Sequence, residues 1–318
     1  MRSNPRIERL LDESQRDGHC AVGLNPADRR GLALRARNDA LVMPYRGIYA
    51  RRDRWDALTP IERTLHAARA LAILHPRWVF AGPTAAAIHG YDHSYALHAD
   101  GAIHIASPRS SQSSDCSHLI RIPMRKVPTV QVNGLRVTDP VRTLMDCGAR
   151  YSFQDALPIF DAAARLGVDL DAVRRNGAAS GLDSGRISRV CDYADPLSEN
   201  GGESTIRALI ISNGFLIPQL QRPFNNPDNP MGPYRTDFSW HLSQGLIVAE
   251  YDGMEKYVMQ QGSSRRTIQA AVHAERRRED HLRAQGVTVI VRLEYEDILH
   301  PERLVQKLLE AGIPRSIR

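Results

Sequence analysis

The stretch GLIVAEYDG, residues 245–253, limits the fold more than any other part of the chain. Leu246 to Ala249 is a continuous apolar run, the signature of a strand buried on both faces. Glu250 and Asp252 follow at once, and Gly253 breaks the pattern. Acids at the end of a buried strand are costly unless a cation, an ion-pair partner or hydrogen bonds meet them. A partner strand precedes the run: YRTDFSW, residues 234–240, is joined to it by the turn-like HLSQG. With Ser243 and Gln244 at the tip of the simplest hairpin, Gly245 faces Leu242, Leu246 faces His241, and Asp237 comes to lie opposite Glu250. Opposed residues of an antiparallel pair hold their Cβ atoms roughly 4.5–5.5 Å apart. Glu250 and Asp252 are two apart and share a strand face. Asp237, Glu250 and Asp252 are therefore expected to converge. Like charges that close resist joint ionisation unless a cation sits between them. An oxygen-only donor set suits Mg2+ or Mn2+ rather than zinc. A slip of one residue in the register would turn Asp237 to the other face.

A chain of 318 residues is long enough for two or three domains, and 42% apolar with 25% charged residues is ordinary for a globular protein. No run of about 18 apolar residues exists, so no membrane partner is expected. The N-terminus, MRSNPRIERLLDESQRDG, lacks the apolar core of a signal peptide, which points to the cytoplasm. Cysteines at 20, 116, 147 and 191 are too far apart for a zinc knuckle or a redox pair. Charge is uneven. Residues 1–54 hold 12 Arg against 7 acids, net +5 out of the whole chain's +6. A small basic segment beside near-neutral ones points to an anionic partner, most often nucleic acid.

Within that segment, Ile7, Leu10 and Leu11 space out an amphipathic helix over residues 4–16. Asn25-Pro26 offers an N-cap and a first-turn proline for a second helix over 26–38, which carries Arg29, Arg30, Arg35 and Arg37. Val42-Met43 and Ile48-Tyr49 then read as two short strands around Pro44-Tyr45-Arg46-Gly47. Helices followed by a basic ribbon outline a winged helix-turn-helix: the Arg-bearing helix suits a major groove, and Arg46, Arg51 and Arg52 suit phosphates. The run Tyr45-Arg46-Gly47-Ile48-Tyr49-Ala50 resembles the wing of AbiEi-family antitoxin-like proteins.

Farther on, residues 58–75 read as a helix with Thr59 as cap and Pro60 at its first position. Residues 78–106 read as strand, helix and strand. Thr84 to Gly90, T-A-A-A-x-H-G, again resembles AbiEi-like proteins, with His89 as a capping or core residue. Residues 108–118 are a polar loop, and 137–167 two short helices, with Arg142 and Asp146 paired at the surface. Residues 176–198 are rich in Gly, Ser and Asp and read as a linker with one short helix. The expected organisation is α+β multidomain: a winged helix over 1–56, a mixed α/β middle domain over 57–175, the linker 176–198, and a restriction-endonuclease-like α/β domain over 199–318.

That last domain carries the most specific resemblance. Glu203-Ser204-Thr205-Ile206-Arg207 opens a helix; Gln221, Arg235-Thr236-Asp237-Phe238 and Glu250-Tyr251-Asp252-Gly253 follow; Leu282, Gly286, Val289 and Arg292 come after an Arg-rich helix. This order is similar to the PD-(D/E)xK nucleases, and among them to very-short-patch-repair-like endonucleases. Two positions depart from the pattern. Asp252 stands where the signature lysine belongs, and Lys256 stands where a His is common. Lys256 either reaches back to the site or lies on the surface.

The resemblance implies metal-assisted phosphodiester hydrolysis. Asp237 and Glu250 would hold Mg2+ or Mn2+, Glu203 would assist directly or through water, and Gln221 or Lys256 would orient the nucleophile. Arg292, at the end of VTVIVR, is placed at the site, whereas Arg276, Arg277 and Arg278 read first as a solvated ion-paired face, with phosphate contact as the alternative. Two functions are expected from different classes. One is a metal-dependent DNA endonuclease; the other is a toxin–antitoxin regulator with an inert nuclease-like domain and, as a further partner, a toxin protein.

Overall fold

The computed structural model describes residues 4–108, 118–253 and 265–316. The fold is mixed α+β, with several small sheets; its shorter elements include α3 (Arg52–Ala57), β6 (Thr129–Val132), β7 (Leu135–Thr138), α8 (Leu170–Ala179) and α12 (Tyr295–Leu299). Cys116, Lys256 and most of the polar loop after residue 108 lie outside the described residues. Two compact units divide the chain: Met1–Tyr151 with Val168–Cys191, and Ser152–Gly167 with Asp192–Arg318.

The first unit begins with α1 (Pro5–Arg16), β1 (Ala21–Val22), α2 (Pro26–Arg37), β2 (Leu41–Tyr45) and β3 (Ile48–Arg51). Asn4 and Asn25 cap the two helices with their side-chain oxygens, each ahead of a first-turn proline. The strands form an antiparallel sheet in the order β1-β3-β2. Tyr45 pairs with Ile48, which leaves Arg46 and Gly47 at the ribbon's tip, and Gly47 takes the positive φ of 88° that such a turn requires. Ile7, Leu11, Leu32 and Leu41 fill the core of this segment. It is not a separate body, because Cys20, Val22 and Ile48 share a second core with Ala68, Leu71, Phe80 and Val137 of the region that follows.

That region opens on α4 (Pro60–Leu74), where Thr59 and Glu62 form a complete capping box. Next, α5 (Gly82–His89) ends at Gly90 in the left-handed conformation, and β4 (Ile103–Ser107) pairs in parallel with β5 (Leu119–Pro123). The strand expected around Phe80 is reduced to single bridges to Ile105 and Val137. His89 donates from Nε2 to the Thr138 carbonyl at 2.8 Å, a core role. Arg142 and Asp146 do pair on α6 (Pro140–Arg150), but Asp146 is fully buried, not at the surface.

The second unit holds a four-stranded mixed sheet in the order β11-β10-β9-β8, built from β8 (Gln219–Phe224), β9 (Tyr234–Leu242), β10 (Gly245–Asp252) and β11 (Val287–Glu294). β9 and β10 pair antiparallel with Gly245 on Leu242, Leu246 on His241 and Ala249 on Phe238, the hairpin register expected from the sequence. β11 lies parallel to β10 and sets Arg292 beside Glu250. On one sheet face, α10 (Gly201–Ser212) and α13 (Pro301–Glu310) pack Ile206, Ile210, Leu304 and Leu308 on Phe238, Trp240 and Ile247. On the other, Leu282 of α11 (Arg265–Ala284) packs on Leu246, Val248 and Phe224.

The border between units differs from the expected linker. α7 (Phe153–Arg165) joins the second unit, where Asp161 accepts both of its 2.6 Å hydrogen bonds from Arg207 of α10. α9 (Ser184–Tyr193) buries Ile187, Val190 and Cys191, so most of the Gly/Ser/Asp-rich stretch is structured.

Candidate active site

The carboxylates meet where the ends of β9 and β10 approach the start of α10. Alternation along β10 decides which side chains go where. Ile247, Ala249 and Tyr251 belong to the α10 face, so Leu246, Val248 and Glu250 face α11. Glu203 is the third residue of α10. Its backbone N–H donates to the capping Asn200 side chain at 2.9 Å. Its carboxylate in turn accepts from Asn200 Nδ2 at 2.6 Å and from the Glu199 N–H at 2.9 Å. Asp237 Oδ2 accepts from the Tyr251 N–H at 2.8 Å, which folds the side chain over the end of β10.

Gln221 joins the two acids. Its Nε2 lies 3.4 Å from Glu203 Oε2 and 3.4 Å from Asp237 Oδ1. Leu220 pairs with Phe238 and Arg222 with Thr236, so Gln221 sits across from Asp237 without a regular pair. Its φ is 49°, a left-handed backbone that costs a non-glycine residue of order 1–3 kcal/mol. The strain aims the amide at both carboxylates.

Burial raises the pKa of each acid. Glu203 is pushed up to about 7 by burial first and by the Asp237 charge second, against the pull of the Glu199 N–H and the Gln221 amide. Burial raises Asp237 too, and the Tyr251 N–H and Gln221 oppose it. Glu199, which the sequence did not single out, adds negative charge to both.

Glu250 has a different surrounding. Arg278 of α11 grips it as a fork, with Nη1 at 2.9 Å from Oε2 and Nη2 against Oε1. Arg292 Nη1 lies 2.5 Å from Oε2. Burial raises the Glu250 pKa, while Arg278 and then Arg292 oppose the rise. Asp252 is 4.0 Å from Arg292 Nη1. Arg292 also meets Glu275, and Glu279 at 3.0 Å.

Thus Glu203, Gln221 and Asp237 come together, whereas the expected convergence of Asp237, Glu250 and Asp252 does not form. The register is right, but the two arginines draw Glu250 and Asp252 toward themselves. Among the described residues no three His, Cys, Asp or Glu side chains stand in a metal-holding group. The remaining donors still suit a hard cation. Mg2+ is commonly held by one or two carboxylates and its own waters, and here the buried Glu203 and the half-buried Asp237 face one shared amide, Gln221 Nε2, at 3.4 Å from each. Lys256 lies outside the described residues. Lys307, the other lysine of the unit, donates to Asp297 Oδ2 at 2.6 Å and to the Arg292 carbonyl at 2.9 Å. Arg278 was not set apart from Arg276 and Arg277, because Glu275, Glu279 and Asp280 beside it are the mark of a solvated helix face.

The basic N-terminal surface is smaller than its arginine count. Arg35 of α2 is buried, 3.4 Å from Glu8 of α1, and drops out of the phosphate-contacting set. Arg51 is held by Glu8 at 2.9 Å and Asp12 at 2.8 Å; Arg52 lies 3.3 Å from Asp39. Arg29 donates to the Gly23 carbonyl at 2.9 Å and braces the start of its own helix. Arg30, Arg37 and Arg46 are exposed, and among the described residues no side-chain partner holds them. Arg30 and Arg37 are seven apart on α2, two turns along one face.

No family model matches the sequence, and neither a curated protein nor a solved structure matches it significantly. Among the described residues no helix is long and apolar enough to cross a membrane.

Proposed function

We propose that the chain is a Mg2+- or Mn2+-dependent DNA endonuclease of the PD-(D/E)xK kind, brought to DNA by an N-terminal winged helix of the AbiEi-like type. The observation that carries this reading is the Glu203–Gln221–Asp237 constellation. A buried carboxylate, Glu203, and a half-buried one, Asp237, are joined at a strand end by a residue whose backbone is strained to reach them. A structural carboxylate pair has no need of that strain, and strained residues gather at functional sites. A bound divalent ion supplies a water of lowered pKa and polarises the scissile phosphate. Glu203 and Asp237 would hold the ion, and Gln221 would orient the attacking water. The α1-β1-α2-β2-β3 order with exposed Arg30, Arg37 and Arg46 supports the DNA-binding half.

A specific observation favours the second reading, a DNA-binding regulator with an inert nuclease-like domain and a toxin partner. Arg278 and Arg292 ion-pair with Glu250, which such a metal site would otherwise use. Cleavage separates the two. Purified protein is incubated with supercoiled, linear and single-stranded DNA in Mg2+, Mn2+ or EDTA, beside Asp237→Ala and Glu203→Gln. The endonuclease cuts only with metal, and either substitution lowers the rate by about 100-fold or more. Absence of cutting on every substrate, with DNA affinity intact, leaves the regulator.

A further inference from the structure

Arg278 differs from the other arginines of the second unit in how it is held. Its Nη1 donates to Glu250 Oε2 at 2.9 Å, and Nη2 makes an ion-pair contact with Oε1. Nη2 also donates to the Arg235 carbonyl at 2.7 Å. Its guanidinium carbon stands 5.7 Å from the centre of the Tyr234 ring, a cation–π platform. Tyr234 is itself tethered to His281 through its hydroxyl, 3.2 Å from Nδ1. Two of these supports, the carbonyl and the ring, do not depend on Glu250. The guanidinium thus stays oriented if the carboxylate leaves. A planar guanidinium recognises carboxylate and phosphate with the same two-pronged geometry.

Arg292 is placed otherwise. Glu275, Glu279 and Asp252 surround it in addition to Glu250, whereas among the described residues Arg278 has besides Glu250 only Glu275, 3.8 Å from its Nη1. Loss of Glu250 leaves it amply neutralised, so it presents no vacant charge to an incoming anion.

We propose that Arg278 is a DNA-phosphate ligand, and that Glu250 occupies it in the DNA-free protein as an internal stand-in for that phosphate. The inference rests on the endonuclease reading. A backbone phosphate entering over Arg278 displaces Glu250. The freed carboxylate lies one register step beyond the Ala249–Phe238 pair, across from Asp237, and turns toward the Glu203–Asp237 pair as the third acid of the site. The site is then completed only when DNA is present. The exchange swaps one anion for another at Arg278 and breaks no covalent bond.

The test reads DNA affinity of the full-length chain in EDTA, by anisotropy of a short fluorescein-labelled duplex, so that cleavage and metal play no part. Glu250→Gln weakens the internal competitor and is expected to tighten binding by about fivefold, while Arg278→Met loosens it by a similar factor. A merely structural ion pair would loosen binding in both variants or in neither, and either result overturns the proposal. If Arg278→Met does not fold, Glu250→Gln alone decides by the sign of its effect. A second arm follows Mn2+ binding by the loss of the free-ion spin-resonance signal. The proposal expects the duplex to raise the wild-type Mn2+ affinity about tenfold or more, and not that of Glu250→Gln. Wild type that binds Mn2+ equally with and without duplex, and still cuts, overturns the exchange and leaves the endonuclease reading standing. Wild type that binds no Mn2+ in either condition ends both.

Discussion

Glu203 is where burial and charge act most directly on one atom group. It stands in the first turn of α10, which Asn200 caps, and a first-turn glutamate at the surface would keep a low, ordinary pKa. Here burial, and after it the Asp237 charge, push its pKa from 4.5 up to about 7. The sign of the linkage follows. Between those two values the folded protein holds a proton that the unfolded chain has released, so Glu203 subtracts stability progressively as pH rises through that window. Below it the cost is absent, and above it the cost is complete. A 13C titration of the glutamate side-chain carboxyls should show one midpoint near 7 that is missing in Glu203→Gln. Saturating Mg2+ should move that midpoint down, because a cation favours the charged form. A Glu203 midpoint near the ordinary 4.5 would remove the electrostatic case for the site. The sequence placed Glu203 in the first turn of its helix, and the spacing of Asp237, Glu250 and Asp252 put acids at the right strand ends. It could not show the φ of Gln221, since nothing in FLIPQLQRPF marks a left-handed residue. Nor could it separate Arg278 from Arg276 and Arg277, because the partner that distinguishes it, Glu250, is 28 residues away and in another element.

Between elements, legibility followed sequence distance. The β9–β10 register was readable because a two-residue tip fixes a hairpin and an apolar run fixes its buried span. Helix starts at Pro26 and Pro60 were readable from a capping residue followed by proline. The assignment of α7 was not. Its apolar face suited any neighbour, and the link that places it, Asp161 to Arg207, spans 46 residues. Arg207 belongs to the motif that resembles the nucleases, yet its contacts are structural. It donates to both oxygens of Asp161 at 2.6 Å and to the Tyr193 carbonyl at 2.6 Å. Both side chains are buried, and burial raises the Asp161 pKa against the pull of Arg207. Removing one member of such a pair strands the other charge. Asp161→Ala should therefore cost about 3–5 kcal/mol of stability in urea, and Asp161→Leu with Arg207→Met should recover most of that loss. Equal losses in the single and double variants would mean that the Tyr193 and Asp195 backbone contacts, not the ion pair, hold α7 to α10.

Across the whole molecule, net charge foretold less than it promised. Twelve arginines against seven acids in residues 1–54 suggested a broad basic surface. Much of that charge is spent inside the segment. Glu8 and Asp12 on α1 take up Arg35 and Arg51, and Asp28 takes up Arg6 at 2.8 Å. Such pairs are invisible to composition, because they depend on which helix face meets which strand. Three exposed arginines remain for phosphates from the expected set, Arg30, Arg37 and Arg46, and the number matters because it can be counted by salt. Each phosphate neutralised adds about 0.9 to the slope of log affinity against log salt. Replacing Arg30, Arg37 and Arg46 together by alanine should flatten the slope of the full chain by about 2 to 3 and weaken binding alike on unrelated duplexes. Arg51→Ala provides the contrast. It breaks contacts to Glu8 and Asp12, so it should lower the melting temperature and leave the slope unchanged. A slope unmoved by the triple substitution would take the DNA surface away from α2 and the ribbon. DNA contact would then rest with the second unit, and the winged-helix assignment would lose its function.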